Sequence, residues 1–118
     1  MWLVLFKTLE GVPCYGDEPD VPKILPDPRV EMYHFNIDEK YGEFFEKDFI
    51  EPVDKLCDAL MDFSEADYLG AGKCAKLREW LEEHMVRDVP KFLKPIYEKM
   101  FEFASKAIEY NTGIVIQL

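Results

Sequence analysis

The most constraining feature of the sequence is the stretch 48–66, DFIEPVDKLCDALMDFSEA, because it has two distinct faces at helical pitch, about 100° per residue. The apolar face consists of Phe49, Val53, Leu56, Cys57, Leu60 and Phe63. The acidic face gathers, within roughly 80°, Glu51, Asp54, Asp58, Asp62 and Glu65. The apolar face predicts a helix packed on a core. Like charges four residues apart cost a helix about 0.2–0.5 kcal/mol per pair, so the acidic row is the less ordinary of the two faces.

Composition predicts one folded, acidic domain. The chain has 118 residues, of which 48% are hydrophobic and 14% aromatic, so it can bury a core and is not intrinsically disordered. Its net charge is −10, from 24 acidic and 14 basic side chains. Such a surface repels phosphate backbones and anionic membranes. We therefore expect no nucleic-acid or membrane partner, and either a basic protein partner or an acidic surface that serves solubility only.

Cysteine usage and the N-terminal residues predict a cytoplasmic protein. The three cysteines include no CxxC pair, and Cys57 and Cys74 lie on the apolar sides of predicted helices. We therefore expect buried free thiols in a reducing compartment. The apolar residues 1–7 are too short for a signal peptide and lack its basic segment and cleavage site. No window reaches the length of a transmembrane span.

Three segments are predicted to be strands. Residues 2–9 and 114–118 are rich in β-branched and aromatic side chains, and we expect these terminal strands to pair. The first is apolar enough to be covered on one face and partly shielded on the other. A third strand is expected at residues 30–37. Between the first and third strands, residues 10–28 carry five prolines and are predicted to form a long loop.

Helices are predicted at residues 39–50, 73–85 and 89–110, with Asn36 or Asp38 as the first N-cap and Asp88 as the last. Phe44, Phe45 and Phe49 are expected to point inward. Pro52 predicts either a kink or the start of a second helix, and the stripe of apolar residues continues in phase across it. A turn capped by Ser64 is expected to hold residues 66–69, and Pro95 to bend the last helix slightly. The prediction is a single α+β domain, with three to four helices packed on a small, mostly antiparallel sheet that includes both terminal strands.

No pattern in the sequence indicates an enzyme, a metal site or a cofactor. Gly70-Ala71-Gly72-Lys73 has Asp67 where a phosphate-binding loop needs glycine, and it has Cys74 where that loop needs Ser or Thr. No calcium-loop spacing occurs. An alternative of another class, a hydrolase that uses Cys14 and His34, requires the fold to bring them together. We predict a non-enzymatic protein without a cofactor.

The candidate partner-binding residues are acidic side chains with neighbouring tyrosines. Interface anchors are commonly Tyr or Trp, and charge accelerates encounter with an oppositely charged partner. On these grounds the predicted contact residues are Glu51, Asp54, Asp58, Asp62, Glu65, Asp67 and Tyr68, together with Tyr15, Asp17, Glu18 and Asp20 of the proline-rich loop. The open alternative is a small regulatory or housekeeping domain whose acidic surface is merely solvated.

The segments DYLGAGKCAKLREWLEEH and AIEYNTGIVIQL, in an acidic domain with paired terminal strands, resemble small immunity proteins of bacterial polymorphic-toxin and contact-dependent-inhibition systems. The resemblance covers roughly residues 44–118. It implies a cytoplasmic protein that binds one cognate toxin domain, often a basic nuclease, and blocks its active site. Such families have no universal functional residues, so none is carried over to this chain.

Overall fold

Three helices pack on one face of a four-stranded sheet. The computed structural model describes residues 1–15, 18–19, 28–59, 61 and 66–118, without the side chains of Tyr15 and Glu18. The strands are β1 (Trp2–Phe6), β2 (Cys14–Tyr15), β3 (Glu18–Pro19), β4 (Val30–His34), β5 (Ala66–Gly70) and β6 (Gly113–Gln117). The helices are α1 (residues 39–57), α2 (Ala71–His84) and α3 (Lys94–Tyr110). The predicted α+β class is confirmed.

The terminal strands β1 and β6 form the centre of the sheet. Its order is β4-β1-β6-β5, and each neighbouring pair is antiparallel, with Leu3 opposite Ile116 and Val4 opposite Val115. The predicted pairing of the termini is confirmed. The first and third predicted strands are shorter than expected, since β1 ends at Phe6 and β4 at His34. Strands β2 and β3 form a separate small hairpin inside the predicted loop.

Strand β5 replaces the turn that the sequence predicts at residues 66–69. Its residues, ADYLG, include no β-branched side chain, so their intrinsic preference for a strand is weak. Pairing along β6, from Ala66 opposite Gln117 to Gly70 opposite Gly113, stabilises the extended conformation. The predicted turn is therefore wrong because a tertiary contact decides this segment.

Both faces of the sheet are apolar, as the composition of the first strand predicts. Leu3, Leu5, Ile114 and Ile116 face the helices and belong to the main core. On the opposite face, a second cluster is formed by Val4, Phe6, Val12, Val30 and Val115. Since side chains alternate along a strand, β1 and β6 contribute to both clusters. Both strands are consequently buried along most of their length.

Helix α1 is continuous but irregular, and Pro52 lies inside it. It consists of a 3-10 turn (Glu39–Tyr41), an α-helical turn (Gly42–Phe45), a π-helical turn (Glu46–Ile50) and a final α-helical part (Glu51–Cys57). The Asp38 carboxylate accepts a hydrogen bond from the Lys40 backbone N–H (3.2 Å), which confirms Asp38 as the N-cap. Pro52 lies in the first turn of the final α-helical part, directly after the π-helical turn. A proline, which has no backbone N–H to donate, is tolerated there. Of the two predictions for Pro52, the structure therefore agrees with the start of a new helical part.

The π-helical turn changes which side chains of α1 point inward. Such a turn contains one more residue than an α-helical turn, so the apolar stripe shifts by one position after it. The buried side chains are Phe45, Phe49, Ile50, Val53 and Cys57. Leu56, predicted inward, is 40% exposed, and Phe44 is 44% exposed. Both predictions are wrong. Phe44 precedes the π-helical turn and lies about 100° around the helix from the buried Phe45. Leu56 follows the turn, where the predicted Val53 and Cys57 occupy the inward side instead.

The helix predicted across residues 48–66 ends at Cys57. Asp58 adopts a left-handed conformation (φ 51°), and its backbone N–H donates to the Asp54 carbonyl as the C-cap. The Asp54 side chain then accepts a hydrogen bond from the Met61 N–H (3.0 Å). Lys73 Nζ donates to the Asp58 carbonyl (3.1 Å), which ties this end to α2. The acidic row therefore does not continue along one helix beyond Asp58.

Helices α2 and α3 form in the segments where the sequence predicts them, with different starts. Helix α2 buries Cys74, as predicted, together with Leu77 and Leu81. Helix α3 begins at Lys94 instead of residue 89, with Pro95 in its first turn and without a side-chain N-cap, so the predicted capping by Asp88 and bending at Pro95 are wrong. It ends at Asn111, which takes the left-handed conformation, close to the predicted stop.

Candidate functional site

Of the predicted acidic row, Glu51 and Asp58 are exposed at either end of the last part of α1. Asp54, between them, is partly buried and holds the turn that follows the helix through its bond to Met61. Its position is therefore explained by the fold. Four predicted contact residues lie outside the described part of the structure: Asp17, Asp20, Asp62 and Glu65. For two more, Tyr15 and Glu18, only the backbone is described.

Asp67 and Tyr68 lie on β5 and not on a helix. Successive strand residues point to opposite faces, so these two side chains do not share one surface. The Tyr68 ring is partly buried, makes an edge-to-face contact with Phe6 (6.1 Å between centroids), and packs against the second cluster. It also covers Gly113 so closely that a Cβ there would lie 2.5 Å from the ring. Tyr68 therefore stabilises the sheet, which is a structural role.

Four exposed glutamates form an acidic ridge on α1: Glu39, Glu43, Glu46 and Glu51. The first three are spaced i, i+4 and i+7, which places them on one side of a helix. The π-helical turn places Glu51 one turn after Glu46, because the Glu51 N–H donates to the Glu46 carbonyl. Lys47 lies among them. Its pKa is raised because it bonds to the Glu43 carboxylate (3.1 Å) and has Glu51 and Glu46 nearby.

An aromatic patch, defined by Tyr41, Phe44 and Phe92, lies on another side of α1, where Tyr41 and Phe44 of this helix meet Phe92 from the turn before α3. Tyr41 stacks on Phe92 with ring centroids 4.2 Å apart, and Phe44 meets Phe92 edge-to-face at 6.4 Å. Tyr41 and Phe44 are both more than one-third exposed. Clustered exposed aromatic rings are a common property of interface anchors. The ridge and the patch thus place charge and apolar area on one exposed helix.

A mostly apolar pocket of about 350 Å³ opens at the start of α1 and is lined by Met1, Ile37, Glu39 and Gly42. Glu39 belongs to both the pocket and the acidic ridge. Gly42 leaves the pocket wall open, since a Cβ at this position would meet nothing within 4 Å. The pocket therefore combines an apolar surface with one carboxylate.

A polar cluster joins the three helices on the inward side of α1. The Asp48 carboxylate accepts from the Tyr97 hydroxyl (2.7 Å), and His84 Nε2 lies 2.9 Å from the same oxygen. An ionised carboxylate only accepts, so this contact is a hydrogen bond in the tautomer that carries a proton on Nε2. The indole of Trp80 stacks on the His84 ring at 4.3 Å. Side-chain exposure is 22% for Asp48 and 16% for His84.

The environment of Tyr97 limits what this cluster can do. Tyr97 is fully buried, and its burial, together with the hydrogen bond to Asp48, raises the pKa of the phenol above its usual range. A hydroxyl that is buried, neutral and already bonded does not reach a substrate. The cluster therefore connects α1, α2 and α3, and its groups satisfy one another as buried polar groups usually do.

Cys57 and Cys74 are buried free thiols, as predicted, and Cys14 is exposed. Burial raises the pKa of the Cys74 thiol to about 12 and also raises the pKa of the Cys57 thiol. Both thiols are consequently poor nucleophiles. The Cys14 thiol donates to the Val12 carbonyl (3.4 Å), and the His34 ring packs edge-to-face on Trp2 (4.6 Å). The pairing of Cys14 with His34 stays a prediction.

Apart from Glu51, the residues of the acidic ridge were not among the predicted contact residues, and neither were those of the aromatic patch and the pocket. The i, i+4, i+7 spacing of Glu39, Glu43 and Glu46 inside the predicted helix 39–50 was the signal that could have found the ridge. Nothing in the sequence predicts the contact of Phe92 with Tyr41 and Phe44, which is a tertiary contact.

Within the described residues, no group of three or more His, Cys, Asp or Glu side chains is arranged to hold a metal ion. In the same part of the chain, no helix is long and apolar enough to cross a membrane. No protein-family model, curated protein or solved structure matches this chain.

Proposed function

We propose that this protein is a non-enzymatic binding domain that docks on a basic partner protein through the exposed side of α1. The observation that carries the proposal is the combination of the acidic ridge with the aromatic patch on one helix. Carboxylates steer a basic partner and fix its orientation, and aromatic rings supply the apolar area that holds it. The net charge of −10 acts in the same direction.

In its most specific form, the proposal is that of an immunity protein. The partner would be a cognate toxin nuclease, whose basic substrate-binding cleft is normally occupied by phosphates. The acidic ridge would take the place of the phosphate charge and cover the cleft. The resemblance supports this identity of the partner and a cytoplasmic location, while the charge and the exposed rings support the binding role independently of it.

The test compares charge reversal on α1 with the same reversal elsewhere. The partner is isolated by affinity capture, and association is then measured with purified proteins over a range of salt concentrations. Glu43→Lys combined with Glu46→Lys is expected to slow association at low salt by about ten-fold or more, since it removes the steering charge. The matched control is Glu98→Lys combined with Glu109→Lys, two exposed positions on α3 with the same change in net charge.

A smaller effect of the α3 control, together with faster dissociation of Phe44→Ala, supports the proposed surface. Equal effects of both double variants would show that only the overall charge matters. Unchanged association in both would contradict the proposal and favour an acidic surface that serves solubility. If the captured partner is a nuclease, its activity should fall on addition of the wild-type protein and fall less on addition of the α1 variant.

A further inference from the structure

We infer that the pocket at the start of α1 binds a lysine or arginine side chain of the partner protein. The inference rests on the proposed function, because a basic partner supplies that side chain. Beyond the proposed function, the inference names the chemical class of side chain that the pocket binds. The pocket measures about 350 Å³, and its lining by Met1, Ile37, Glu39 and Gly42 is mostly apolar, with one carboxylate.

The chemistry of the lining selects the occupant. Lysine and arginine carry a charged group on a long apolar stem, and they commonly bury the stem while the head stays at a polar or charged group. Here Met1 and Ile37 offer apolar contact for the stem, and both pack against the main core, which holds them in place. Glu39 is the acidic residue among the described lining residues, and its exposed side chain can pair with the charged head.

The charge around the pocket favours the same occupant. Glu43 and Glu46 follow Glu39 at positions i+4 and i+7, so the carboxylate in the pocket is the first of a series along α1. A basic segment that places one side chain in the pocket therefore meets further carboxylates in its path along the helix. The pocket and the acidic ridge would then form one continuous contact surface.

Gly42 gives a direct way to close the pocket. Its backbone is helical (φ −59°, ψ −45°), and a Cβ would meet nothing within 4 Å, so other residues fit without strain. Gly42→Leu places a larger apolar side chain at the wall of the pocket. Gly42→Ala makes the same backbone change with almost no added volume, and it is therefore the matched control.

The test uses defined probes and does not require the partner. The ¹⁵N-labelled protein is titrated with N-acetyl-lysine methylamide, with its arginine counterpart, and with N-acetyl-norleucine methylamide, which has the apolar stem without the charge. Saturable shifts of the amide signals of Ile37, Glu39 and Gly42 with the lysine or arginine probe are the expected result. Norleucine should bind about two- to five-fold more weakly, as for the loss of an exposed ion pair.

The variants then assign the binding to the pocket. Glu39→Gln should weaken the lysine and arginine probes about two- to five-fold and leave norleucine unchanged. Gly42→Leu should abolish the shifts, while Gly42→Ala retains them; circular dichroism confirms that each variant is folded. Equal binding of norleucine and lysine, or shifts spread over the whole acidic surface, would overturn the inference. So would the absence of shifts with both cationic probes.

The outcome can be separated from that of the proposed function. If the probes do not bind but reversal at Glu43 and Glu46 slows association with the captured partner, only the pocket assignment fails. If the probes bind as expected but association with the partner is insensitive to that reversal, the pocket is correct and the proposed docking surface is wrong.

Discussion

The two sides of α1 differ in how their polar and aromatic groups are used. On the inward side, Phe45 and Phe49 are fully buried, and Asp48 bonds to both Tyr97 and His84. On the outward side, the glutamates of the acidic ridge and the rings of Tyr41 and Phe44 are exposed to solvent. Buried groups that satisfy one another are explained by folding, whereas exposed rings beside charge are available to a partner.

The comparison explains why a histidine beside an aspartate is not taken here as a catalytic pair. Asp48 and His84 resemble the orienting part of a catalytic site, and π-helical turns such as the one that carries Asp48 are frequent at functional sites. The third member of this cluster is the buried Tyr97 hydroxyl, which donates to Asp48 and is held neutral. The arrangement thus fixes the packing of three helices, and the exposed side of α1 carries the proposed binding.

The largest expected effect is a difference in the free energy of unfolding between two Phe→Ala variants, one on each side of α1. Phe49→Ala removes a fully buried ring and should lower the free energy of unfolding by about 3–5 kcal/mol. Phe44→Ala removes a ring that is largely exposed and should cost less than about 1 kcal/mol. Urea unfolding followed by fluorescence measures both. Similar costs for the two variants would mean that α1 is not divided into a structural side and an exposed side.

Removal of one hydroxyl from the polar cluster should have the next largest effect. Tyr97→Phe deletes the 2.7 Å bond to the Asp48 carboxylate. Hydrogen bonds to charged groups contribute about 1.5–3 kcal/mol, so the variant should lose about that much stability. Tyr110→Phe, at an exposed tyrosine near the end of α3, is the control and should be nearly neutral. A neutral Tyr97→Phe variant would contradict the structural role of the cluster.

Two glycines should respond to alanine in opposite directions. At Gly113, a Cβ would lie 2.5 Å from the Leu69 carbonyl oxygen and from the Tyr68 ring, so Gly113→Ala forces the strands apart and should cost about 1–3 kcal/mol. At Gly42, the space is open and the backbone helical, so Gly42→Ala should stabilise by about 0.5–1 kcal/mol. Thermal unfolding of both variants gives the two signs. A destabilising Gly42→Ala variant would show that the outward side of α1 is packed.

A further expected effect is a dependence of stability on alkaline pH. Burial and the hydrogen bond to Asp48 raise the pKa of Tyr97 in the folded state, whereas a tyrosine in the unfolded chain ionises near pH 10. Above that pH the unfolded state binds fewer protons than the folded state, so the contribution of Tyr97 is fully present below about pH 10 and declines as pH rises. At pH 11 this loss amounts to about 1.4 kcal/mol.

Tyr97→Phe isolates this contribution, since the other tyrosines and the buried thiols titrate in both proteins. The difference in stability between wild type and Tyr97→Phe should therefore be about 1.4 kcal/mol smaller at pH 11 than at pH 8. Urea titrations at the two values provide the measurement. A difference that stays constant would mean that Tyr97 ionises in the folded protein as readily as in the unfolded one.

The success of the sequence predictions follows the range of the interactions involved. The terminal strands, the two later helices and the burial of Cys74 were predicted correctly, because local periodicity dictates them. Strand β5 was not, because its extended conformation depends on pairing with β6. The inward face of α1 was predicted correctly for Phe45, Phe49, Val53 and Cys57 and incorrectly for Phe44 and Leu56, whose exposure depends on what packs around the helix.

The candidate site likewise has one property that the local sequence determines and another that depends on tertiary contacts. Charge is local information, so an acidic surface and a preference for a basic partner can be read from composition. The position of that surface cannot, because the end of α1 at Cys57 depends on the left-handed Asp58 and its link to Lys73. The described members of the predicted row are therefore distributed over α1, its C-cap Asp58 and β5, whereas Glu39, Glu43 and Glu46 of the acidic ridge lie earlier on α1.

The sequence by itself determined the acidic charge, the strands at both termini and the α+β class, since hydrophobic periodicity and charge need no long-range information. Only the tertiary structure decided where α1 changes its pitch, which rings remain exposed, and that Asp48, His84 and Tyr97 meet. These features depend on contacts between residues 36 to 49 positions apart and on the space left beside Gly42. The physical reason is that a residue's neighbours in sequence fix its local conformation, whereas its exposure depends on what the rest of the chain packs against it.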